Sequence, residues 1–108
     1  MKKIKLQLDY LQGAIWISDF ETGTPMTGIS VVDKDDMVKN INYTMQDMYS
    51  SYYEFDSHGQ ACFFDKEKQK VEKDKMLELL EALKKRLNEI NDGSYQVEDC
   101  ISTEYEKL

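Results

Sequence analysis

Met76, Leu80, Leu83, Leu87 and Ile90 follow one another at intervals of four, three, four and three residues, and this spacing constrains the chain most. Such spacing places five apolar side chains on a single stripe of a helix, which Leu77 and Leu79 broaden. The stripe covers only two heptads, too few to infer a coiled coil, so packing against the core of the same chain is the better reading. A helix of this kind specifies a layered domain: its stripe must be buried against a sheet or another helix. Ile4, Leu6, Leu8 and Tyr10, alternating with Lys3, Lys5, Gln7 and Asp9, supply the facing layer as a half-buried strand.

Further elements follow from punctuation and period. Residues 14–20 form a second apolar run, and Glu21 to Pro25 mark a hairpin-like turn. Residues 28–32 read as a third, β-branched strand. The aspartates 33, 35 and 36 then suit a helix N-terminus, where carboxylates accept free amides and meet the positive end of the dipole. Met37, Val38, Ile41, Met45, Met48, Tyr49 and Tyr52 form one face of a helix over about 37–53. Ala61 to Phe64 fit either an edge strand or an anchored loop. The charged block 66–75 reads as a solvated helical face with i,i+4 pairs. Asn91, Asp92 and Gly93 end the second helix with Gly93 at C′. Tyr95 and Val97 open a closing strand, and a polar tail follows. The expected fold is a single α+β domain over residues 1–108, with two amphipathic helices packed on one face of a small, mainly antiparallel sheet. Its element order is roughly β-β-(β)-α-(β)-α-β.

Chemistry is hard to find in the chain. His58 is the one histidine, and an enzyme built on it would need Cys62 as nucleophile or Asp56 as orienter. Closeness in sequence does not assemble such a dyad, so we read His58 as a loop residue and the protein as a non-enzyme. One His and two separated Cys fall short of a structural zinc site, and Asp33, Asp35 and Asp36 lack the glycine and closing glutamate of a calcium loop. No cofactor or metal is expected. Cys62 and Cys100 are read as free thiols of a reducing compartment. Neither a signal peptide nor a membrane span is legible, so the expected location is cytoplasmic.

Charge is more informative. The 108 residues carry a formal net charge of −7, which argues against direct binding of nucleic acid or of an anionic membrane. Residues 66–86 hold eight Lys or Arg and five Asp or Glu, whereas residues 9–65 hold two basic and ten acidic residues. Five tyrosines, Tyr10, Tyr43, Tyr49, Tyr52 and Tyr53, share that acidic stretch. Winding the first helix at ~100° per residue lines up Asp36, Asn40, Tyr43, Asp47, Ser50 and Glu54 opposite its apolar face. Such a stripe is either an ordinary solvent face or a surface for a basic protein, since carboxylates beside tyrosines attract Arg and Lys. The candidate partner-binding residues are Asp36, Tyr43, Asp47, Tyr53, Glu54, Asp56 and His58.

The segments KIKLQLDYLQGAIW (3–16), DMYSSYYEFDSHGQACFF (47–64) and RLNEINDGSY (86–95) together resemble the small acidic immunity proteins of Gram-positive polymorphic toxin systems. That resemblance implies a cytoplasmic, non-enzymatic protein, monomeric or weakly homodimeric, that neutralises a cognate toxin. A basic, nuclease-like toxin domain would be occluded by carboxylates standing where phosphates bind. Two other readings fit the same size and charge: a phage-encoded DNA-mimic inhibitor of a host nuclease, and a self-associating module built on the Met76–Ile90 seam.

Overall fold

The computed structural model describes residues 2–9, 13–19, 21–55 and 62–107. Strands β1 (Lys2–Leu6) and β2 (Ile15–Trp16) open the chain, followed by helices α1 (Ser30–Asp33) and α2 (Asp36–Ser50). Then come β3 (Tyr53–Phe55), β4 (Cys62–Phe64), α3 (Lys66–Val71), α4 (Lys73–Glu89), β5 (Tyr95–Asp99) and α5 (Ile101–Glu106). The fold is α+β, as the two helical periods and the alternating first strand require.

The principal sheet has the order β2-β1-β5, with β1 and β2 antiparallel and β1 and β5 parallel. It is therefore mixed rather than mainly antiparallel. The last strand enters beside the first in the same direction, and no local turn chemistry signals that pairing. β3 and β4 form a separate antiparallel hairpin, which resolves residues 62–64 as strand.

One core joins these elements. Ile4 and Leu6 of β1, Ile15 of β2 and Tyr95 of β5 point inward to meet Val38 and Met45 of α2 and the α4 seam. Met76, Leu80, Leu83 and Leu87 have no exposed surface, so the seam is consumed by its own core and is not offered for self-association. The Tyr95 hydroxyl donates to the Leu87 carbonyl, fastening β5 over α4.

Five local expectations are corrected. Residues 28–32 are not a strand: Asp33 accepts from the Thr27 N–H and Oγ1 and the Gly28 N–H, and this folded-back loop leads into the short helix α1. The first long helix stops at Ser50, which leaves Tyr52, Tyr53 and Glu54 beyond it. Its inward face takes Asn42 and Gln46, while Met37 turns outward. The charged block breaks at Glu72 into α3 and α4, with Gln69 turned into the interior. α4 ends at Glu89 with Ile90 as its C-cap, so Gly93 belongs to the following turn, where Asn91 accepts its N–H.

The expected polar tail is also helical. Asp99 accepts the N–H groups of Ile101 and Ser102 and so starts α5, and Ile101 and Tyr105, one turn apart, are fully buried. Two apolar residues at i and i+4 within eight are too weak a period to read as an element.

Candidate acidic surface on helix α2

The surface starts from the way α2 is held. Asp35 caps the helix by accepting the Val38 N–H at 2.9 Å. The same carboxylate takes Arg86 of α4 in a two-pronged pair, Nε to Oδ2 at 3.1 Å and a terminal nitrogen to Oδ1 at 2.6 Å. The Arg86 guanidinium holds the Asp35 carboxyl below the usual carboxylate range, against the opposing effect of burial. These contacts fix the start of α2 on α4 and leave its opposite side to solvent.

Along that side Asp36, Asn40, Tyr43 and Asp47 are all exposed, Tyr43 at 43%. At 1.5 Å per residue this row runs about 16 Å. Ser50 closes it, half-buried. Glu54 does not continue it, because that residue lies on β3, paired with Phe63. Tyr53 belongs to a different group: its ring stands 5.8 Å from that of Tyr49 and 5.1 Å from that of Phe64, edge-on to both. Burial pushes the Tyr49 hydroxyl far above its ordinary pKa, and Tyr52 behaves in the same way. Tyr49 and Tyr52 are buried in this packing cluster, and Tyr53 lies half-buried at its side, off the α2 row. Asp56 and His58 lie outside the described residues.

The structure adds to the row residues that the helical period does not show. Asn42, fully buried on the inner side of α2, accepts the Ile15 N–H at 2.9 Å and donates to Ser18 Oγ at 2.9 Å and to the Gly23 carbonyl at 2.8 Å. One side chain thereby ties the 15–26 ribbon to the helix. The ribbon is closed by Met26 N–H to Ile17 O and Asp19 N–H to Thr24 O. A Cβ on Gly13 would stand 2.5 Å from the Asn42 amide, so a residue without one is needed there. Gly23, at φ +74°, backs directly onto Tyr43; a Cβ there would come within 2.5 Å of the tyrosine's own.

The turn that carries exposed Asp19 and Glu21 is thus set beside Tyr43. Ile17 at 53% and Met26 at 60% exposure stand farther along the same ribbon. The sequence signals for this arrangement are the turn residues 21–25 and the polar Asn42 among the inward positions of α2. Among the described residues no group of three or more His, Cys, Asp or Glu is placed to hold a metal, and Asp33 and Asp35 are engaged in loop closure and capping. Cys100 is a free, partly buried thiol. No helix among the described residues is long and apolar enough to cross a membrane. No family model, curated protein or solved structure matches the chain.

Proposed function

We propose that the chain is a non-enzymatic immunity protein that binds and neutralises a basic, nuclease-like toxin domain in the cytoplasm. The observation that carries this reading is the joined surface of Asp36, Tyr43 and Asp47 on α2 with Asp19 and Glu21 on the turn pinned beside them. Four carboxylates around an exposed tyrosine match what a phosphate-binding cleft attracts: negative charge at the rim and a flat, amphipathic anchor at the centre. The exposed Ile17 and Met26 supply apolar contact area alongside. Inhibition would be by occlusion, with carboxylates standing in for phosphates, and would need no reaction.

The test is capture from the native organism, followed by identification of the retained protein by mass spectrometry. The wild-type chain is expected to retain a basic protein whose hydrolysis of nucleic acid stops when the chain is added. Asp47→Lys combined with Tyr43→Ala, folded by circular dichroism, should lower that affinity at least ~10-fold, with the larger part of the loss at low salt. Equal retention by the variant would remove the interface from this surface.

A further inference from the structure

β5 is the outermost strand of its sheet among the described residues. Hydrogen bonding in a parallel pair alternates along each strand. The Lys2 N–H donates to Ser94 O and the Cys100 N–H to Leu6 O. With the register Lys2↔Tyr95 through Leu6↔Asp99, this assigns the backbone groups of Gln96 and Glu98 to β1. Tyr95, Val97 and Asp99 therefore turn their N–H and C=O groups away from the sheet. The Asn91 amide covers the Tyr95 carbonyl at 3.1 Å. Val97, at the middle of the edge, is left presenting both a donor and an acceptor.

Beside this edge lies a groove of about 250 Å³, lined by Lys84, Asn88, Asn91, Val97 and Asp99. Lys84 and Asn88 of α4 form one wall of the groove and Val97 and Asp99 the other, Lys84 Nζ is bonded to Asp99 Oδ2 at 3.0 Å, and the space beside Val97 has room for the side chain of an added strand. An open edge flanked by such a groove is the geometry of strand addition.

We propose that this edge pairs antiparallel with β5 of a second copy of the chain, about a two-fold axis through Val97. The choice of occupant rests on what the pairing juxtaposes. Val97 meets Val97 over the groove, and the two exchange both backbone hydrogen bonds. Gln96 of each copy stands opposite Glu98 of the other, and Tyr95 opposite Asp99. The exposed Glu98 carboxylate faces an amide, the Tyr95 hydroxyl and the Asp99 carboxylate stay bonded within their own chain to the Leu87 carbonyl and to Lys84 and Ser102, and no carboxylate faces a carboxylate, although each chain carries −7. Gln96 and Glu98 are both exposed, on the sheet face away from the helices. The product is one continuous sheet across the two copies. A contact of one short strand pair falls below the ~1,200 Å² of stable complexes, so the dimer is weak, half-formed between about 10 μM and 1 mM. Added salt strengthens it by screening the like net charges.

Sedimentation equilibrium of the full chain over that range tests the proposal. Val97→Pro is expected to abolish association while leaving the β1–β5 ladder intact, because the N–H it removes points away from β1. Gln96→Lys should tighten the dimer about 3- to 10-fold, and Gln96→Glu should weaken it by a similar factor. Within one chain Gln96 lies opposite Lys3, so the effect of these two changes on folding has the opposite sign and cannot imitate the result. A strictly monomeric wild type overturns the proposal, as does a dimer indifferent to the charge at position 96.

Discussion

Asn42 shows how much of the candidate surface depends on one side chain that does not belong to it. Its amide satisfies two backbone groups and a hydroxyl of the 15–26 ribbon from a fully buried position. Asn42→Ala would remove all three bonds and leave the Ile15 N–H and the Gly23 carbonyl without this partner. We expect a loss of about 3 kcal/mol in urea unfolding, with the 19–24 turn becoming the first site of proteolytic cleavage. In the sequence Asn42 is one polar residue among several, and its role follows only from a ribbon 19 to 27 positions earlier. Asp35 was more legible, since an aspartate ahead of an apolar period is a capping signal; its bond to Arg86 was not. Because the folded-state pKa of Asp35 lies below the ordinary value near 3.9, its stabilising contribution is complete above about pH 5 and is lost as pH falls through the folded value. Asp35→Asn keeps a capping side chain but not the charge. It should therefore unfold at lower urea than wild type at pH 7, and the difference should shrink below about pH 4.

Elements with a full hydrophobic period were the ones that could be read. The α4 seam and most of the α2 face are buried as their spacing requires, because a helix carries its periodicity locally. Elements defined by what they meet escaped the sequence: β2 is only two residues long, and α5 presents only Ile101 and Tyr105. Residues 28–32 have strand-like composition but become a helix start once Asp33 folds back on Thr27. The α2 row shows the same division, since Asp36, Tyr43 and Asp47 share a face by period whereas Glu54 falls outside it because the helix ends first. α5 offers a direct test of this reading. Tyr105 is fully buried, so Tyr105→Ala should cost about 3 kcal/mol in thermal or urea unfolding. A change within about 0.5 kcal/mol would mean that the last helix is an appendage and not part of the core.

At the scale of the molecule, the two proposed interfaces use different parts of the chain. The acidic row lies on α2 and the turn beside it, and the open edge lies on β5, so a weak dimer and a toxin complex need not compete for the same residues. Both depend on the principal sheet, whose longer pairing is the parallel one of β1 with β5. That pairing has a consequence in time. On a ribosome adding about 5 to 20 residues per second, β1 is made roughly 5 to 20 seconds before the strand it must pair with. Throughout that interval Ile4 and Leu6 lack their final neighbour, and a bare apolar strand is a template for the wrong partner. Lys2, Lys3 and Lys5 surround those two residues, and their charge guards the nascent strand against aggregation until β5 arrives.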